Sequence, residues 1–241
     1  MDYNNSSHRK VRRFKAAQGY RLMRFVLPAT GALAALVAAF ALTAWLGAAS
    51  PLTIELPADL VGDLQAGDLI FRIGDGWQSD AVRGAGRSVR QSARQESDPY
   101  SHVGMLVGEP SHWRVLHAVP AELPGRKDEV VLDDLDFFIA PERAHGVAVY
   151  RIAAETSVRA AAVENAMKRL GAPFMIVEND LEGQYCTTLI WHAWKRAGVD
   201  LGARFDDLNI PFAAGQYLLP HSLRAAPELN LLFEARAEKR R

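Results

Sequence analysis

One cysteine in 241 residues, Cys186, has no partner for an internal disulfide. A lone thiol is then an inert buried side chain, an intermolecular bridge or a reactive group. The chain also lacks a charge excess. Lys plus Arg and Asp plus Glu each number 28, which argues against a dedicated nucleic-acid binder. There is no internal repeat, heptad run or metal-type cysteine cluster, which excludes solenoids, coiled coils and zinc ribbons.

Another absence is local. Residues 25–50, FVLPATGALAALVAAFALTAWLGAAS, carry no charge at all. About 20 apolar helical residues span the hydrocarbon core of a bilayer. Pro28 falls in the first turn, where a missing amide proton costs little. Ahead of the run lie seven basic residues (Arg9, Lys10, Arg12, Arg13, Lys15, Arg21, Arg24) and one acid, Asp2. Taking these from the 28 of each sign leaves 21 basic and 27 acidic groups for the remainder. No Lys or Arg follows Pro51 until Arg72, so the positive-inside bias puts the N-terminus in the cytoplasm and the rest across the membrane. The alternative is a secreted protein, with a signal peptide cleaved near Gly47-Ala48-Ala49, but the run exceeds the ~7–15 residues of a signal core. A span without cysteine excludes a lipoprotein anchor.

The remaining stretch, about 190 residues, is a size one hydrophobic core can serve. Residues 50–62 read as an extended linker with two prolines. DLIFRI (68–73), HVGMLV (102–107), WRVLHAV (113–119) and GVAVYRIA (146–153) read as strands, with VVLDDLDFFIA (130–140) mixed. Arg83, Arg87, Arg90 and Arg94 stand at helical spacing and suit a solvated face. Thr156 or Ser157 caps an Ala-rich helix ending before Gly171 and Pro173. CTTLIWHAWKRA (186–197) sets Cys186, Leu189, Ile190, Ala193 and Ala197 on one helical face, with Gly198 beyond its end. The tail EARAEKRR reads as frayed and exposed. Central strands with flanking helices give an α+β class.

Cys186 thus stands at a helix start, where free first-turn amides and the helix dipole favour a thiolate and can donate to an oxyanion. It also lies on the apolar face, so position alone leaves a nucleophile and a packing residue equally open. The histidines bear on the choice. If GEPS (108–111) is the hairpin loop, Val107 pairs with His112 and His102 lies directly opposite His117. Two imidazoles could then hydrogen-bond, one as base and one as its orienter. A slip of one residue would separate them; a slip of two would keep the face and make the pair diagonal. The other histidines read as arm, surface or loop residues. Two histidines and a cysteine can also hold Zn²⁺ with an open position, but no Asp or Glu stands at useful spacing.

GDLIF (67–71), YSHVGMLV (100–107), VLHAV (115–119), VAVYRI (147–152) and YCTTLIW (185–191) resemble, in order, the circularly permuted NlpC/P60 cysteine hydrolases. The likeness is greatest to the YiiX/YebB-like branch, related to the lecithin:retinol acyltransferase-like proteins, and covers roughly residues 60–200. It implies a permuted papain-like fold, with a central antiparallel sheet or barrel and the nucleophile helix packed on it. Carried over, Cys186 matches the nucleophile, His102 the base and His117 the third, orienting residue. Many members would show glutamate at position 117. Thr188 departs from a typical CSEL, putting a first-turn carboxylate in doubt.

The implied mechanism is covalent. His102 takes the thiol proton or already shares an ion pair with Cys186, the thiolate attacks an acyl carbonyl, and the Cys186 amide helps hold the oxyanion. Tyr100, Tyr185 and Asp68 are candidate substrate contacts, although an aromatic wall and a turn carboxylate are the plainer roles. No cofactor is expected. The expected organisation is a basic cytoplasmic arm (1–24), a transmembrane helix (25–49), a linker (50–62), a catalytic domain (63–225) and a tail (226–241). The expected function is a membrane-anchored thiol hydrolase facing the periplasm and cleaving an amide of a cell-envelope peptide. The alternatives are a lipid acyltransferase or thioesterase with the same residues, and a non-catalytic binding module.

Overall fold

The computed structural model describes residues 53–75, 77–93, 98–121, 123–178, 183–209 and 214–237. The basic arm and the uncharged run, with the anchor expected there, lie outside the described residues. Among the described residues no helix is long and apolar enough to cross a membrane.

Alternating apolar residues build six antiparallel strands: β1 (Leu69–Ile73), β2 (His102–Glu109), β3 (His112–Val119), β4 (Glu129–Asp134), β5 (Gly146–Ile152) and, late in the chain, β8 (Leu229–Arg236). Their order across the sheet is β4-β3-β2-β1-β5-β8, an open sheet. Each strand sends alternate side chains to opposite faces. On the first face Leu69, Phe71, Val103, Met105, Leu116 and Ala148 meet two helices, α4 (Thr156–Met167) and α5 (Cys186–Arg196). The apolar stripe expected on α5 is what buries there: Leu189, Ile190, Ala193 and Trp194 are at most 2% exposed. On the second face Ile70, Leu106, Val115, Val147 and Val149 are covered by Ile54, Leu64, Leu135, Phe138 and Ile139.

Four more helices complete the order: α1 (Ala58–Asp63), α2 (Trp77–Ala93), α3 (Leu135–Phe138) and α6 (Pro220–Arg224). A small hairpin joins β6 (Asp206–Leu208) to β7 (Gly215–Tyr217). The mixed stretch 130–140 therefore divides into β4 and α3.

Three expectations need correction. Residues 50–62 are not simply extended linker, because α1 forms within them and Ile54 is buried against the second face. The tail EARAEKRR is not frayed from its start: Glu234, Ala235 and Arg236 belong to β8, which pairs with β5 from Leu229↔Ile152 to Arg236↔Gly146. Its mixed polarity is that of an edge strand, half buried and half solvated. The β2–β3 register is shifted by two from the expected one. Pairing continues to Glu109↔His112, leaving a two-residue loop of Pro110 and Ser111. Gly108 is a strand residue with φ +121°, a conformation favourable mainly for glycine, and not part of the loop.

This register, extended two pairs beyond Leu106↔Val115, sets Gly104 opposite His117 and makes His102 and His117 diagonal neighbours. A Cβ at Gly104 would lie 2.3 Å from Val115 Cγ1, 3.1 Å from the Leu116 carbonyl and 3.2 Å from His117 Cβ. Gly104→Ala is therefore expected to destabilise the protein by about 1–3 kcal/mol through overpacking. Urea denaturation should show the midpoint falling, together with loss of the His102–His117 hydrogen bond by histidine NMR.

Candidate active site

Cys186 opens α5, and its neighbours explain why the helix begins there. Tyr185, the N-cap, is extended, and its amide donates to Thr188 Oγ1 at 3.1 Å. Thr188 also donates to the Gly183 carbonyl at 3.3 Å. The threonine that departs from the expected family pattern thus serves as a buried cap. Thr187 donates to the Leu218 carbonyl at 2.6 Å, and the Tyr185 hydroxyl accepts from the Leu218 amide at 2.9 Å. The helix start is pinned from both sides of its first turn.

The thiol is 7% exposed and accepts hydrogen bonds from the backbone amides of Val103, Thr187 and Cys186 itself. The Val103 amide belongs to the peptide that follows His102, so the thiol lies against the start of β2. Burial nevertheless pushes the Cys186 thiol up to about 11, against those amides and the charge of Arg72. Desolvation thus outweighs the first-turn amides that favour a thiolate.

On the second face the two imidazoles meet. His102 Nε2 and His117 Nδ1 are 2.8 Å apart, the rings nearly perpendicular at 82°. His117 is fully buried, and its Nε2 lies 3.1 Å from Asp133 Oδ2. Arg126 grips both oxygens of Asp133, Nη1 to Oδ2 at 2.9 Å and Nη2 to Oδ1 at 2.8 Å. Phe138 lies beneath both rings, 5.8 Å from His102 and 5.1 Å from His117 between centroids. Burial would raise the Asp133 carboxyl, but the hydrogen bonds and charges of His117 and Arg126 outweigh it and hold it well below the usual carboxylate range.

This chain assigns the protons. An ionised Asp133 only accepts, so when His117 is neutral it carries its proton on Nε2 and accepts through Nδ1. His102 must then donate from Nε2, which leaves its Nδ1 unprotonated as the basic atom. His102 itself is held well below its usual value by burial and by the charges of Arg72, His117 and Arg143. Between described residues no hydrogen bond runs from Sγ to the His102 ring. Such bonds are often long before substrate arrives. Both shifts disfavour a standing ion pair between thiol and imidazole.

Asp133 and Arg72 were not singled out from the sequence. Asp133 sat in a stretch of mixed pattern, and its pairing with His117 depends on β3–β4 register, where His117 stands opposite Val131. Asp68, Tyr100 and Tyr185 are placed elsewhere or otherwise engaged. Asp68 is 1% exposed and gripped by Arg151 at 2.9 and 2.7 Å. It lies beside Leu106, four residues along β2 from His102. Tyr100 is 2% exposed, donates to Glu234 at 3.0 Å and lies under Arg224. Tyr185 flanks Cys186, but its hydroxyl is bound to Leu218. A groove of about 900 Å³ is lined by Ile54, His112, Asp134, Phe137 and their neighbours, and includes neither Cys186 nor His102. Among the described residues no group of three or more His, Cys, Asp or Glu side chains is disposed to hold a metal ion.

A family model described as permuted papain-like amidase enzyme, YaeF/YiiX, C92 family, matches residues 63–232. The crystal structure of metalloprotein yiiX from Escherichia coli O157:H7 aligns with TM-score 0.55 and 22% identity, covering 71% of this chain and 97% of that one. At that identity the likeness is one of fold. No curated protein matches.

Two outcomes are expected of this geometry. Alkylation of Cys186 by iodoacetamide should climb about tenfold per pH unit from neutrality toward 11, with no plateau at acid pH of the kind an ion pair gives. Asp133→Ala should cost about 3 kcal/mol at pH 7, since it leaves Arg126 and His117 without their carboxylate. Because the folded value of Asp133 is depressed, that stability is present above about pH 4. It is lost as pH falls through the folded value. Urea midpoints of the two proteins should therefore converge in acid.

Proposed function

Because the chain belongs to the permuted papain-like amidases and is a cysteine hydrolase, we propose that it cleaves an amide of a cell-envelope peptide through Cys186, His102 and His117. We propose further that residues 25–49 tether it to the cytoplasmic membrane with this domain on the outer side. The observation that carries the site assignment is the hydrogen-bonded chain His102–His117–Asp133, beginning at the residue whose following amide touches the thiol.

In this reading His102 Nδ1 takes the thiol proton as Sγ bonds to the amide carbonyl carbon. The first-turn amides of α5 receive the oxyanion. As the tetrahedral intermediate collapses, the C–N bond breaks and His102 returns its proton to the leaving amine. A thioester remains on Cys186. Water then attacks it, giving its proton to His102, and the carboxylic acid leaves as Sγ regains a proton. His117, held by Asp133, keeps the His102 ring in the tautomer that can act.

The test uses the full chain against short envelope-type peptides and matched acyl esters, with mass spectrometry of Cys186. Amide cleavage with a transient acyl adduct on Cys186 is expected. Cys186→Ser should lose more than about 10³-fold, and His102→Ala about 10²–10⁴-fold. Turnover of esters with amides untouched would overturn the peptide reading, and undiminished activity in Cys186→Ser would overturn the site.

A further inference from the structure

Arg72 is charged, 3% exposed, and stands on the buried second face of β1. A buried arginine is costly, and an apolar side chain of similar volume would serve packing at least as well. Its location is particular. Arg72 pairs directly with His102 across the β1–β2 ladder, and opposed residues project to the same face with Cβ atoms about 4.5–5.5 Å apart. Its guanidinium carbon lies 4.5 Å from the centroid of the Phe138 ring, and Nη1 donates to the Phe138 carbonyl at 3.2 Å. The same ring lies beneath His102 and His117. Two bonds of different kind to one residue fix the guanidinium beside the imidazole pair.

We infer that Arg72 is a positioning residue of the proposed reaction: a fixed buried cation that keeps His102 neutral at rest and favours negative charge at Cys186 and on the oxyanion. This rests on the reading of Cys186 and His102 given above. The groups around His102 give the cation its leverage. From β1 comes Arg72, from β3 His117, and from the segment before β5 Arg143, itself stacked 4.3 Å from the Phe137 ring. The Cys186 thiol, at the start of α5, is within the field of the same Arg72. The carboxylate of the site, Asp133 on β4, is one ring further away and shared with Arg126. An imidazolium at position 102 therefore faces cations at rest. It becomes favourable only when the thiol proton has moved and negative charge has formed next to it. The same imbalance drives the proton onward to the leaving amine.

The experiment compares Arg72→Met, Arg72→Gln and Arg72→Lys in the full chain. Met keeps the stem over Phe138, Gln keeps a donor for the Phe138 carbonyl, and Lys keeps the charge. Two readouts need no substrate: the NMR titration of His102, assigned by its loss in His102→Gln, and the rate of Cys186 alkylation by iodoacetamide. In the two neutral variants the His102 titration should move upward by about one pH unit or more, and alkylation at pH 8 should slow about tenfold. Arg72→Lys should stay within about threefold of the parent on both. The inference is overturned if the neutral variants titrate like the parent, or if Lys shifts as far as Met and Gln, which is what a packing role gives. Should amide hydrolysis be absent while the titration behaves as stated, the electrostatic inference stands and the reading of function falls.

Discussion

The β2–β3 register is the constraint on which the site depends. With the loop cut to Pro110 and Ser111, the pair extended from Met105↔Leu116 brings Gly104 opposite His117. Where any other residue stood, its Cβ would press on Val115 and the β3 backbone. The empty position lets the His117 ring lean along the sheet toward His102 and reach hydrogen-bonding distance across a diagonal. A second register, between β3 and β4, sets His117 opposite Val131, so that Asp133, two residues on and on the same face, reaches its other nitrogen. Two strand registers thus order three titratable groups on three adjacent strands.

Burial then decides which of those groups carries charge. Asp133 can remain ionised in the interior because Arg126 and His117 satisfy it from two sides. His102 has no such compensation. Burial removes the water that would solvate an imidazolium, and the charges of Arg72, His117 and Arg143 oppose one as well. Cys186 is desolvated as well, and three backbone amides do not offset that. The resting pair is therefore thiol and imidazole. In the proposed reaction, proton transfer is then coupled to the arrival of a carbonyl whose oxygen can take the charge.

Much of this architecture could be read in the chain, and the omissions have physical causes. The nucleophile helix was legible because its apolar positions recur with helical period and end at Gly198, and α5 buries the expected face. The strands were legible by their alternation. The β2–β3 offset was not, because Gly108 reads as a turn residue and acts as a strand residue with positive φ. The side chains stayed on one face because the error was two residues, an even number. Asp133 was hidden for another reason: its role depends on the register of β4 against β3, which no tight turn signals, and VVLDDLDFFIA changes from strand to helix directly after Asp134. Arg72 was passed over inside an apolar strand pattern, where a single charged residue reads as solvent-facing. β8 was missed because half of its side chains are solvated, as an edge strand allows.

The division of labour across the sheet follows from these placements. The helix that bears Cys186 is held on the first face by ordinary apolar packing, and His102 with the groups bonded to it is buried on the second. Their common element is the start of β2, where the Val103 amide touches Sγ and the preceding residue carries the imidazole. Small shifts of α5 along the sheet would therefore change the distance from Sγ to His102 without disturbing the His102–His117–Asp133 chain. Such shifts are resisted at the helix start, by Thr187 and Tyr185 bound to Leu218 and by Thr188 bound to Gly183. These hydrogen bonds involve residues that touch neither imidazole, yet they set the approach of thiol to base. The threonine in place of a first-turn carboxylate fits that role: it caps the helix and adds no negative charge beside a thiol that must become an anion.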